Sequence, residues 1–250
     1  MQSIAILAYH SIDDSGSVLS VSPSIFAAQM GMLASGGVKC VSLIDAVEHR
    51  EMHGDWPDNS AVITFDDGFA SVHEHALPAL KQHGFGATMF VVSDHVGGLN
   101  DWERPWPGLG YQPLMDWDQL GELCDAGVEI GAHTVSHADV SRIAPARLET
   151  EIEACREPIR TELNVDPMTF AYPFGRVSVA AACVVGGFYR AAVTTALRRA
   201  RMDFAHDLPR VDMYYFRDEP DLCPVVSGER DRYLTWRRMG RMVRSALTRS

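Results

Sequence analysis

Ala61-Val62-Ile63-Thr64-Phe65-Asp66-Asp67-Gly68 decides how this chain is read. Apolar and β-branched residues lead into two adjacent carboxylates and a glycine. Val, Ile, Thr and Phe in one short run predict a buried strand. The glycine ends it, which sets Asp66 and Asp67 at the strand's C-terminal mouth, where α/β folds bind ligands. Neighbouring like charges resist ionising together, and a cation beside them relieves that cost.

The flanking segments repeat the pattern. Ile4-Ala5-Ile6-Leu7-Ala8-Tyr9-His10 is an apolar run ending in a histidine, and it predicts a first buried strand. Ser22 as N-cap with Pro23 at the first helical position starts a helix; Phe26, Met30 and Leu33 mark its inner face and Gly36-Gly37 stops it. Val38 to Leu43 predicts a strand and Ile44 to Met52 a short helix. After Gly68 come a helix over Ala70–His83, a strand over Ala87–Val92 and a helix over Asp116–Cys124. Val128–His133 predicts the next strand, Ala144–Leu163 one long helix bent or ended near Pro158, and Met168–Tyr172 another strand. A helix ending near Gly186-Gly187, then strands at Arg190–Thr195 and Leu208–Val211, complete the set. Alternation at this pace is the signature of a parallel sheet. Gly97 to Pro113 breaks it, and Trp102, Trp106 and Tyr111 argue that this long loop is ordered and functional.

With 250 residues, 46% apolar and 22% charged, the chain has the make-up of one sizeable soluble domain. A net charge of −11 speaks against non-specific nucleic-acid binding. Five scattered cysteines without a Cys-x-x-Cys pair predict reduced thiols and a cytoplasmic setting. Met1 to Tyr9 has no basic n-region, and its apolar run is too short for a signal peptide. No stretch reaches the roughly 18–20 apolar residues of a membrane span.

The next chemistry-bearing segment is His133-Thr134-Val135-Ser136-His137, again at the end of an expected strand. On a helical turn, imidazoles four residues apart share a face. Two imidazoles and a carboxylate make a three-ligand site with positions left open, as a catalytic zinc needs. Bound zinc lowers the pKa of its water towards about 7, and a second carboxylate can take the proton. Asp66 and Asp67 thus divide into one ligand and one general base. Each motif alone is weak, but both end strands on one rim.

Together with Phe170-Ala171-Tyr172-Pro173-Phe174-Gly175, these two motifs resemble the first three motifs of the polysaccharide deacetylases, the NodB-homology group or carbohydrate esterase family 4. The resemblance runs from about Ile4 to Val211. It implies a single-domain α/β fold, a distorted (β/α)7 barrel, with a catalytic domain over residues 1–226. It also implies metal-dependent removal of N-acetyl groups from an amino sugar in a poly- or oligosaccharide. Residue by residue, Asp67, His133 and His137 match the metal ligands and Asp66 the general base. Phe174 matches the residue whose backbone N–H faces the oxyanion, and Tyr172, Trp102 and Trp106 are expected at the substrate. Zinc is the expected metal; ligand type alone does not separate it from cobalt, nickel or manganese. The rival readings are a hydrolase of a non-sugar amide on the same fold and a catalytically silent sugar-binding protein.

Two departures from the family pattern carry expectations of their own. Ala171 stands where the family usually has the arginine that holds the base, and Arg210 is the expected replacement. No late strand ends in Leu-x-His to supply the general acid. Ile6-Leu7-Ala8-Tyr9-His10 has that form at the N-terminus, as in circularly permuted members, so His10 is the expected acid and His206 the reserve.

Residues 227–250 are expected to form a basic helical tail. From Tyr233 onward there are five arginines (Arg237, Arg238, Arg241, Arg244 and Arg249) and no acidic residue. Trp236, Met239, Met242, Val243 and Leu247 fall on one helical face. Such a helix either packs on the body or lies on the anionic inner face of a membrane. The oligomeric state is not legible.

Overall fold

A computed structural model describes residues 2–102 and 108–247; beyond Arg241 only the backbone of the last helix is described. Trp106 therefore lies outside the described residues, as do Arg249 and the side chains of Met242, Val243, Arg244 and Leu247.

Among the described residues ten strands appear in chain order: β1 (Ala5–Tyr9), β2 (Ser11–Ile12), β3 (Ser20–Val21), β4 (Lys39–Val41), β5 (Ser60–Phe65), β6 (Ala87–Val91), β7 (Val128–Ala132), β8 (Thr169–Ala171), β9 (Ala191–Leu197) and β10 (Leu208–Asp212). Strands β5 to β10 pair with their neighbours in sequence, all in parallel. β1 pairs with β5 on one side, Ala5–Tyr9 against Ala61–Phe65, and with β10 on the other, Leu7 against Val211. Seven strands thus close a ring. All their C-terminal ends meet at one rim, as closure in parallel requires. β4 pairs only with the N-terminal half of β5, and β2 with β3 in a separate two-residue ladder near the rim.

The helices are α1 (Pro23–Ser35), α2 (Leu43–His53), α3 (Leu77–His83), α4 (Trp117–Asp125), α5 (Pro145–Glu153), α6 (Arg156–Leu163), α7 (Val179–Phe188), α8 (Cys223–Ser227) and α9 (Asp231–Leu247). Ser22 accepts from the Ile25 N–H and caps α1 as the sequence implies. Asp116 and Gln119 form a capping box on α4. The single helix expected over Ala144–Leu163 is two helices, with the break at Ala154-Cys155. Pro158 sits in the first turn of α6, where a missing N–H costs nothing.

Strand alternation sorts the core into two layers. Leu7, Ile63, Met89, Ile130 and Phe170 face outward and pack with Phe26, Met30 and Leu33 of α1 and with other helices. Each of those three α1 side chains is fully buried, worth roughly 1.5–3 kcal/mol. Ile6, Val62, Phe90, Ala171 and Val193 fill the barrel interior. Leu43, Ala46 and Val47 of α2 join that inner cluster, and the Ile44 N–H donates to Glu129 inside the barrel at 3.0 Å.

Candidate active site

The rim above the inner layer holds a cavity of about 350 Å³. His10 enters it from the end of β1, Asp66 and Asp67 from β5, His133 and His137 from the loop after β7, and Phe174 from the turn after β8. All but Phe174 and His10 are buried.

Asp67 faces the two imidazoles. Its Oδ1 lies 3.4 Å from His133 Nε2 and 3.3 Å from His137 Nε2. The three ligand atoms lie within 4.8 Å of one another. His133 Nδ1 is 2.7 Å from the Ala171 carbonyl. Donation there orients the ring so that Nε2 faces Asp67. Two imidazole nitrogens and one carboxylate oxygen suit a divalent cation such as zinc. Burial, the largest influence, would raise the Asp67 pKa; the His133 and His137 hydrogen bonds outweigh it and hold the carboxyl well below its ordinary range. Burial pulls the His137 pKa down despite Asp67, in the direction that favours the neutral imidazole a ligand needs. At His133 burial lowers the pKa, but Asp67 and Asp66 raise it further.

His133 and His137 do not lie on a helical turn. Thr134 and His137 adopt left-handed backbone (φ 69° and 57°), which folds the loop so that both rings reach Asp67. Asp67 (φ 75°) and Phe174 (φ 59°) share this conformation. Four of the six non-glycine residues with positive φ among the described residues thus sit at this site, where sparsely allowed backbone tends to gather. Glu151 of α5 holds the loop from behind, accepting from the Ser136 N–H (3.0 Å) and Ser136 Oγ (2.7 Å), while its own carbonyl accepts from the Val135 N–H.

Asp66 faces the other way. Arg210 grips it with two bonds of 2.7 Å, one from each terminal nitrogen. The Arg210 fork is fixed by further donation to the Thr194 carbonyl and to Thr64 Oγ1, both at 3.1 Å. Burial would raise the Asp66 pKa, but the Arg210 charge and hydrogen bonds, with His133 and His10 beyond, hold it below the usual carboxylate value. His10 Nε2 stands 3.7 Å from Asp66 Oδ2 on the cavity side.

Phe174 turns sharply before Gly175, whose added Cβ would lie 2.1 Å from Thr195 Oγ1, so only glycine fits against β9 there. Trp102 lines the cavity and packs on His137 with ring centres 4.6 Å apart.

Two expected residues stand elsewhere. Tyr172 is fully buried in the outward layer, its hydroxyl donating to the His206 carbonyl at 3.0 Å, and it does not line the cavity. It follows β8 on the outward-facing alternation, which turns it away from the cavity. His206 is also outside the cavity; its Nε2 pairs with the Tyr189 carbonyl at 2.9 Å, so it is not placed as a reserve acid. Conversely, Arg241 of α9 lines the cavity beside Asp212, Tyr214 and Tyr215, which the sequence pattern did not indicate.

A sequence profile described as "Polysaccharide deacetylase" matches residues 53–186. The chain is 27% identical over 165 residues to the poly-beta-1,6-N-acetyl-D-glucosamine N-deacetylase of Staphylococcus aureus (strain MRSA252), covering 62% of this chain and 54% of that protein. It spans only about half the length of such curated relatives. Among solved structures, the Streptococcus pyogenes deacetylase PplD in complex with acetate superposes with a TM-score of 0.74 at 23% identity, covering 84% of this chain and 92% of that one. IcaB from Ammonifex degensii superposes with a TM-score of 0.72 at 23% identity, covering 88% and 97%.

Proposed function

As this chain belongs to the polysaccharide deacetylase family, we propose that it is a metal-dependent hydrolase that removes N-acetyl groups from an amino sugar. The observation that carries the reading is the division of labour between neighbouring carboxylates. Asp67 meets two imidazoles, and Asp66 is locked in the Arg210 fork beside them. Asp67, His133 and His137 would hold a divalent cation, for which zinc is proposed. Such a cation supplies Lewis acidity, lowering the pKa of water and polarising an acyl oxygen. Asp66, kept ionised by Arg210, takes the proton of the attacking water. The Phe174 N–H stabilises the developing oxyanion, usually the largest catalytic contribution. His10, on the open side of Asp66, gives a proton to the departing amine. Trp102 offers an aromatic wall to the sugar.

The S. aureus relative's name supports a substrate built from N-acetylglucosamine. A cytoplasmic setting is proposed from the five cysteines, all of them free thiols. The test is acetate release from N-acetylated mono- and oligosaccharides after reconstitution with zinc, cobalt, nickel or manganese, with elemental analysis of the isolated protein. No acetate from any sugar by the metal-loaded protein would sink the deacetylase reading and favour the silent sugar-binding one.

A further inference from the structure

Helix α9 reaches the rim and places one guanidinium in the cavity wall. Arg241 Nη2 lies 3.6 Å from Asp212 Oδ2, and its Nη1 is buried without a hydrogen-bond partner among the described residues. One turn earlier, Arg237 stacks on Tyr215 at 4.4 Å, and Arg241 lies 5.8 Å from the same ring. Tyr215 thus carries two cations and holds Arg241 towards the cavity. The other charges nearby have partners. Arg210 has Asp66, and Arg176, which also lines the cavity, has Asp139 at 2.6 Å. Asp212 meets Arg241 only loosely, at 3.6 Å through Oδ2, while its Oδ1 accepts from the Tyr214 N–H at 3.0 Å. A buried guanidinium nitrogen left without an acceptor is costly, and its planar fork matches a phosphate or carboxylate.

We propose that Arg241 recognises an anionic group, a phosphate or carboxylate, borne by the acetylated sugar itself. This rests on the deacetylase reading of the same cavity. At about 350 Å³ the cavity is near the small end of ligand pockets, roughly 300–1,000 Å³, so the anion belongs to the reacting sugar or the unit joined to it. α9 is then a wall of the active site that sets substrate charge.

The experiment compares kcat/KM for acetate release from N-acetylglucosamine, its 1-phosphate and its uronic acid analogue, using metal-reconstituted wild type, Arg241→Met and Arg241→Lys. Wild type should prefer one charged substrate over the neutral sugar by about ten- to hundredfold. The preferred one identifies the anion as phosphate or carboxylate. The ratio should collapse towards one in Arg241→Met, mainly through KM, and be partly restored in Arg241→Lys. Equal use of neutral and charged sugars by wild type, or an unchanged ratio in Arg241→Met, overturns the proposal. If no sugar releases acetate, the deacetylase reading fails, and calorimetric binding of the two charged sugars decides the anion site separately. Binding lost in Arg241→Met supports it, and binding absent from wild type or unchanged in the variant overturns it. Circular dichroism melts of each variant check that the fold is kept.

Discussion

Asp66 and Asp67 are adjacent in the chain and opposite in company: one has a guanidinium, the other two imidazoles. Replacing Asp67 with Asn, or His133 or His137 with Ala, should abolish metal binding, because a three-ligand site has no spare. Asp66→Asn should keep the metal and lose about 10²–10⁴ in rate, since only the proton acceptor is removed. Elemental analysis beside acetate release separates the two outcomes; an empty site in Asp66→Asn with metal retained in Asp67→Asn would reverse the assignment. Arg210→Lys should lower kcat and move the acid limb of the pH–rate profile upward. An ammonium cannot make both bonds to Asp66, and burial then pushes the carboxyl pKa up. In the native protein that pKa is depressed, so the stability from this pair is complete above the unfolded value of about 3.9 and is lost as pH falls through the folded value. Much of this was legible, because Asp66, Asp67, His133 and His137 sit in contiguous motifs at strand ends. Arg210 could be picked out as a charge in the apolar run Leu208-Pro209-Arg210-Val211 once Ala171 occupied the usual arginine position. Tyr172 was misplaced because a motif does not say which face of a strand a neighbour takes.

The loop after β7 shows where spacing misleads. His-x-x-x-His fits one helical face, yet here two left-handed residues bring the rings together without a helix. Sequence spacing cannot distinguish these, since both put the imidazoles on one side. The clasp that sets the loop, Glu151, lies on α5, beyond the range of any local pattern. Its side chain is nearly buried, whereas its partner Arg147 is largely exposed and adds little. Glu151→Ala leaves the Ser136 N–H without its acceptor and should cost about 1–3 kcal/mol. Metal affinity should fall with it, by roughly the 10–100-fold typical of lost outer-sphere support. Thermal melts and chelator competition measure both. Unchanged affinity in a destabilised variant would make Glu151 a packing residue only. The Ala144–Leu163 segment was read as one helix because its apolar spacing continues through Ala154-Cys155, where the chain bends to keep Cys155 and Ile159 buried.

Closure of the barrel through β1 explains how an N-terminal histidine reaches a site assembled from the middle of the chain. The succession of strands was legible from alternation, but their closure was legible only through the family resemblance, because no local signal reports which edges meet. The route of α9 was not legible. The helix packs through Leu234, whereas Trp236 and Met239 of the expected apolar stripe are exposed, and only the fold reveals that Arg241 on it lines the cavity. Peripheral docking of α9 on an anionic membrane is proposed on a narrower basis than the sequence implied. Arg237 and Arg241 turn towards Tyr215, whereas Trp236 and Met239 are 64% and 60% exposed on the outer side. Full-length protein should sediment with anionic liposomes at low salt and be released at high salt, and a chain ending at Tyr233 should not; binding unchanged by that deletion, or no binding at all, removes the proposal. The ring also imposes a timetable on biosynthesis. The three proposed metal ligands lie between Asp67 and His137, and His10 is brought to Asp66 by the pairing of β1 with β5, but Arg210 meets Asp66 only once β10 docks on β1. A nascent chain still short of Leu208 already carries every ligand but neither the fork nor the closing strand. Asp66 therefore stays without its guanidinium partner until β10 has left the ribosome and docked on β1.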